Sequence, residues 1–231
     1  LQAVNRRGEL TRIGRQLSRL PADPRLGRML VAAAQEGALK EVLIIVSALS
    51  VQDPRERPAD KQQTADEKHR QWQDKDSDFV AYLNLWNHME EQRQALGRNQ
   101  FDKYCRQQFV SPLRMREWRD LHHQLHGYCR ELNLPENRQP ADYAAVHRAL
   151  LTGLLGQIGF RHEEKEFMGP RNRKFHVFPG SLFSILFLTT PRVFRGGGTT
   201  LLVRSRQKKK IRGRLRPHAL TPLPPFDGDA S

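Results

Sequence analysis

Apolar positions recur at helical spacing through most of this chain. Asp23 followed by Pro24 supplies an N-cap and then a proline at the first helical position, where a missing N–H costs nothing. Leu26, Met29, Leu30 and Ala33 follow three and four residues apart, the signature of one buried helix face. Gly37 can stop that helix. The next run, Leu39 to Val51, holds Val42, Leu43, Ile44, Ile45, Val46 and Leu49 and is apolar almost all round, which predicts a buried central helix. Its β-branched residues also suit a strand, but its length and the 39, 42, 43, 46, 49 spacing favour helix. Pro54 and Pro58 end it.

The pattern continues to residue 158. Residues 60–73 read as a polar helix. Ser77 and Asp78 cap a helix bearing Phe79, Tyr82, Leu83, Leu85, Trp86 and Met89, with Gly97 closing it. Phe101, Tyr104, Cys105 and Phe109 belong to a short helix. Ser111-Pro112 repeats the cap-plus-proline device ahead of Leu113, Trp118, Leu121, Leu125, Tyr128 and Leu132. Pro135 to Pro140 is a linker, and 141–158 forms a last helix with Val146, Leu150, Leu151, Leu154, Leu155 and Ile158 on its apolar face. The character then changes: Phe160–Met168 and Lys174–Phe178 read as two strands joined by the turn Gly169-Pro-Arg-Asn-Arg173. Residues 182–216 hold ten Lys or Arg and no acid, interrupted by Gly196-Gly197-Gly198, with no persistent period. That composition predicts disorder. The fold class expected is mainly α, followed by an incomplete small β segment and a disordered basic tail.

Charge narrows the partners. Lys plus Arg number 39 against 25 acids, a net +14 over 231 residues. A surplus of that size favours an anionic partner, nucleic acid first, over a merely solvated surface. Cys105 and Cys129 form no C-x-x-C pair, so neither a disulfide framework nor a structural zinc site is expected. The run Leu182–Leu188 is far short of the ~20 residues a membrane helix needs. With no signal-peptide pattern either, a soluble, cytoplasmic protein that keeps clear of membranes is expected, and the missing initiator Met leads us to expect a piece of something longer.

No phosphate-binding loop G-x-x-x-x-G-K-[ST] occurs, so no bound nucleotide is expected. His122, His123 and His126 cluster on one helix, two of them at i, i+4, but the Glu of a zinc-protease signature is absent; they read as surface histidines. The basic clusters are the better candidates. Arg114, Arg116 and Arg119 sit beside Trp118 on one helix, a grouping in which charge meets phosphate and a ring stacks on a base. The equal alternative is a core Trp118 among solvated arginines. Arg171, Arg173 and Lys174, with His176 just beyond, lie at a predicted β-turn, where small barrels grip phosphates; a charged hairpin tip is the alternative.

Longer stretches carry a resemblance. Gly8-Glu-Leu-Thr-Arg-Ile-Gly14 and Leu20-Pro-Ala-Asp-Pro-Arg-Leu-Gly-Arg-Met-Leu30 resemble the junction between the winged-helix and helicase-associated (ratchet) domains of DEAH-box RNA helicases. Glu41-Val-Leu-Ile-Ile-Val-Ser-Ala-Leu-Ser-Val-Gln-Asp-Pro-Arg55 is similar to that family's central ratchet helix. Asp60-Lys-Gln-Gln63, Asp76-Ser-Asp-Phe79 and Leu113-Arg-Met-Arg-Glu-Trp-Arg-Asp-Leu121 look like its bacterial HrpA type. Tyr143 to Ile158 and Lys174-Phe-His-Val-Phe-Pro-Gly-Ser181 resemble the end of the ratchet and the start of an OB-fold. The resemblance implies the end of a winged helix in 1–22, a ratchet domain in 23–158, the start of an OB-fold in 159–181 and an unmatched tail in 182–231. A shifted reading frame or truncated gene would account for that tail.

The resemblance further implies a 3′-to-5′ RNA helicase whose ratchet lines the channel for single-stranded RNA. ATP and Mg²⁺ would sit in motor domains on another stretch, and this stretch alone would be inactive. Its implied partners are single-stranded RNA, those motor domains and the ribosome, with Arg114, Arg116, Arg119, Arg171, Arg173, Lys174 and His176 touching phosphate. Asp66-Glu67-Lys68-His69 spells the motor's D-E-x-H, but in a polar helix with no phosphate loop before it, so it is not read as a metal site. A stand-alone RNA- or partner-binding adaptor, or a non-functional remnant, are the alternatives.

Overall fold

The computed structural model describes residues 1–161, 166–169, 174–175 and 201–202. Its helices are α1 (Arg12–Leu17), α2 (Pro24–Glu36), α3 (Leu39–Ser50), α4 (Gln62–His69), α5 (Asp78–Ala95), α6 (Arg98–Gln107), α7 (Pro112–Glu131) and α8 (Tyr143–Leu154). Short 3-10 turns follow α4 at Arg70–Trp72 and α8 at Leu155–Gln157. The strands are β1 (Ile158–Arg161), β2 (Phe167–Met168), β3 (Lys174–Phe175) and β4 (Leu201–Leu202), in the antiparallel order β3-β2-β1-β4.

Local chemistry sets the helix ends. The Asp23 side chain accepts from the Arg25 amide while Pro24 starts α2, and Gly37 ends it in the left-handed region at φ 66°, where a Cβ would be strained. Ser77 Oγ accepts from the Phe79 and Val80 amides to cap α5. Its hydroxyl also meets His147 Nε2 of α8 at 2.7 Å. His147 Nδ1 faces the Tyr143 carbonyl, which can only accept, so Nδ1 carries the proton and Ser77 donates to Nε2.

Helix α3 is the spine. Only Lys40 and Ser50 along it are exposed. One side builds a core with α2 and α8, where Leu39, Val42, Leu43, Ile45 and Val46 meet Met29, Leu30, Val146, Ala149 and Leu150. The C-terminal part, through Ile44, Ala48 and Leu49, borders a second core of Tyr82, Leu85, Trp86, Met89, Phe101, Met115 and Trp118 from α5, α6 and α7. Leu17, Leu20 and Val31 fix α1 to α2. Helices α2 and α8 approach so closely that a Cβ on Gly153 would stand 2.3 Å from the Arg25 carbonyl oxygen. The 135–140 linker is tied back to α3: Glu41 accepts from the Ala141 amide and the Asn137 side chain, and Asn137 accepts from the Lys40 amide.

Four expectations change. Gly97 does not close α5, whose C-cap is Leu96; it is the N-cap of α6. Ser111 occupies the cap position of α7 without a side-chain cap bond. Ile158 is not on the face of α8, which ends at Leu154, but opens β1; apolar residues recur across that boundary, so spacing alone could not show the switch. The single strand expected over 160–168 divides into β1 and β2, which pair with Phe160 opposite Met168, because the charged run between them has no alternating apolar face. The turn expected at 169–173 lies, beyond Gly169, outside the described residues; β2 and β3 on either side of it pair with Phe167 opposite Phe175. The expected disorder of the basic tail lies outside the described residues, apart from Leu201 and Leu202, which pair as β4 with Gly159 and Ile158.

Candidate nucleic-acid interface

The arginines of α7 divide by helical geometry. At 3.6 residues per turn, Arg116 and Arg119 lie about 60° apart around the axis, while Arg114 is turned away from both by roughly 140–160°. Arg114 donates to the Asp53 carbonyl at 3.1 Å, at the foot of α3. Trp118 is completely buried, its Nε1 donating to the Ile44 carbonyl and Ser47 Oγ, and its ring lies edge-on to Trp86 at 4.9 Å between centroids. Of the two readings of Trp118, the core one holds: no base can stack on it.

Arg116 and Arg119 instead face an open cleft of about 310 Å³ between the end of α5, the start of α6 and the first half of α7. Arg93, Leu96, Arg98, Phe101 and Asp102 complete its lining. Arg93 is held by Glu90, whose Oε2 accepts from both Nε and Nη2 at 2.9 and 2.7 Å. The other ion pairs are loose. Arg116 stands 3.7 Å from Asp102 and Arg119 stands 3.9 Å from Glu90, both beyond hydrogen-bond reach. Arg98 has no ion pair among the described residues. Counting Glu90 and Asp102 against the four guanidiniums leaves the cleft net positive.

The sequence reading missed Arg93 and Arg98. They flank Gly97 at a helix junction, and only the packing of α5 and α6 against α7 brings them to Arg116 and Arg119. The β-turn candidates are not brought to this cleft by any described contact. Arg171, Arg173 and His176 lie outside the described residues, and Lys174 in β3 pairs with Glu166 at 2.7 Å.

The remaining candidates resolve into structure. His122 is half-buried, not a surface group: it lies against Trp86, with ring centroids 4.7 Å apart, and stacks with His126 at 6.3 Å. Burial, reinforced by His123 and His126, pushes it down to about 4, so it is neutral near pH 7. His126 meets Glu136 at 3.1 Å. In the D-E-x-H run, Asp66 pairs with Arg57, and His69 reaches the Gln108 and Phe109 carbonyls while stacking on Trp72. Among the described residues no group of His, Cys, Asp and Glu could hold a metal ion. Cys105 and Cys129 are buried thiols raised to about 11 by burial, which keeps them protonated and unreactive. No helix among the described residues is long and apolar enough to cross a membrane.

Residues 23–82 match the model of the helicase-associated domain (HA2), ratchet-like. Over 174 residues the chain is 53% identical to the ATP-dependent RNA helicase HrpA of Escherichia coli (strain K12), covering 75% of this chain and 13% of that protein. The chain belongs to the DEAH-box RNA helicases of the HrpA type. The HrpA homolog of Haemophilus influenzae is 50% identical over 184 residues, 79% of this chain and 14% of its own length. The pre-mRNA-splicing factor prp22 of Schizosaccharomyces pombe is 30% identical over 161 residues, 70% of this chain and 13% of its own. The chain thus spans about an eighth of the HrpA-type relatives it matches. The ratchet-like match takes in α2, α3, α4 and the start of α5. The arginine cleft lies beyond the match, on the end of α5 and on α6 and α7.

Proposed function

We propose that this chain is the C-terminal RNA-binding accessory region of an ATP-dependent 3′-to-5′ RNA helicase. Its helical body lines the channel for single-stranded RNA, and nucleotide hydrolysis belongs to motor domains on another stretch of polypeptide. The observation that carries the reading is the placing of Arg116 and Arg119 side by side in an open, net-positive cleft, on a chain of the HrpA type. Phosphate contact suits them, since a guanidinium presents a planar fork of donors that matches phosphate oxygens. The β segment is the start of an OB-like barrel in this reading. Arg171, Arg173, Lys174 and His176 then provide a second phosphate-gripping loop, and Arg114 acts in the body of the domain through Asp53.

The test is filter binding of poly-pyrimidine RNA by the full chain at rising salt, beside an ATPase assay with and without RNA. Binding that weakens steeply with salt and no ATP turnover are expected. Salt-independent binding, or turnover by the purified chain, would refute the assignment.

A further inference from the structure

We infer that the cleft formed by Arg93, Arg98, Arg116 and Arg119 is a subsite for the phosphodiester backbone of single-stranded RNA that reads no base. The inference rests on the RNA-binding reading above and deepens it by naming what the cleft recognises.

Three observations converge. The first is unspent donor capacity. Each guanidinium offers five N–H donors and no acceptor. Arg98, Arg116 and Arg119 make no side-chain hydrogen bond among the described residues, although the Arg119 side chain is only 20% exposed. Their N–H groups are not buried and are not engaged by protein acceptors, so they are open to an incoming anion. The second is the start of α6. Its first-turn amides lack partners within the helix, no side chain caps them, and no acid sits in that turn. Arg98 occupies the first helical position, adding a cation to the positive end of the helix dipole. That placement is unfavourable in the free protein and becomes favourable once an anion sits between the amides and the guanidiniums. The third is what the cleft lacks. Phe101 is 6% exposed and Leu96 is half-buried, so no aromatic face is open for stacking. With donors for phosphate and no platform for a ring, the cleft grips backbone regardless of sequence.

The loose pairs at Asp102 and Glu90 belong to the same design. They hold the arginines in place without using up their donors, and a phosphate can displace them because neither is a hydrogen bond.

The experiment compares the full chain with the double variant Arg93→Ala/Arg98→Ala, the single variant Arg98→Ala, and a control double variant, Arg106→Ala/Arg130→Ala. All four substituted positions are exposed, and the two double variants lose equal charge. Affinity for short oligouridine and oligoadenine is measured by fluorescence anisotropy across a salt series. Amide exchange is followed over residues 96–101. The cleft double variant is expected to bind both oligomers roughly tenfold more weakly, with Arg98→Ala intermediate and the control much less affected. The slope of log K against log salt should become shallower by about 0.7 for each phosphate that is no longer neutralised. The α6 first-turn amides should gain protection when either oligomer binds.

Equal losses in the two double variants, with the parent chain still binding, would overturn the subsite and leave the RNA-binding reading standing. Failure of the parent chain to bind either oligomer would overturn both. Preference for polyglutamate over RNA, abolished in the cleft double variant, would make the partner an acidic protein surface and overturn the inference. Discrimination between oligouridine and oligoadenine that depends on Arg98 would overturn its base-independence.

Discussion

His122 carries the clearest pH signature of any single residue here. Burial against Trp86 and the neighbouring histidines hold it down to about 4, whereas an unfolded chain protonates it near the ordinary histidine value of ~6.5. Between those values the unfolded state binds more protons, so the stability contribution is complete above pH ~6.5 and is lost as pH falls towards 4. The loss is on the order of 3 kcal/mol, and His69, lowered in the same direction by burial, adds to it. Urea midpoints at pH 7.5 and pH 5 should therefore differ markedly, and His122→Phe, which keeps a ring against Trp86, should narrow the gap. An unchanged gap would show that His122 is not the responsible group. Arg98 makes the opposite kind of statement. Replacing it with Asp supplies the acid that the first turn of α6 lacks and should stabilise the free protein by about 0.3–1 kcal/mol. The same change should weaken RNA binding. A variant that loses both stability and binding would mark Arg98 as structural.

At the level of elements, Gly153 and Glu41 decide how helices and linker fit together. Gly153→Ala puts a methyl group where the Arg25 carbonyl oxygen and the Met29 side chain already stand, so α8 must lift from α2. A cost of about 1–3 kcal/mol is expected in thermal or urea unfolding, and a neutral result would mean the two helices can separate freely. Glu41→Ala removes the carboxylate that accepts from Asn137 and Ala141, leaving the Lys40–Asn137 bond, and faster exchange of the Ala141 amide should accompany a loss of ~1–3 kcal/mol. The elements themselves were legible because their signals are local. Asp23-Pro24 and Ser77 announce helix starts, and the apolar run from Leu39 announces a buried helix. Trp118 could have been placed too, since Leu125 lies two helical turns beyond it and Cys129 one turn further, and all three are buried. The cleft was not legible. Its arginines come from three helices and meet only through tertiary packing, while the cluster seen in sequence, Arg114 to Arg119, is divided by the turn of the helix. The end of α8 was misread for a related reason, because apolar spacing runs on past Leu154 while the backbone changes to 3-10 turn and strand.

For the whole molecule, charge and architecture act at different ranges. The net +14 draws any polyanion from a distance, and on the proposed reading the directed donors of the cleft hold the strand at close range. Trp118→Ala separates the two levels. Emptying that site should cost about 3–5 kcal/mol of stability, yet at a temperature where the variant stays folded it should bind RNA as the parent does, because the indole touches none. Selective loss of binding at intact circular dichroism would put the indole back at the interface. Helix α3 gives the body its last property. Residues along one rod serve as wall for both cores, so neither lobe keeps a complete interior once the other opens. Heat should accordingly melt the two halves in a single step, seen in calorimetry as one transition rather than two.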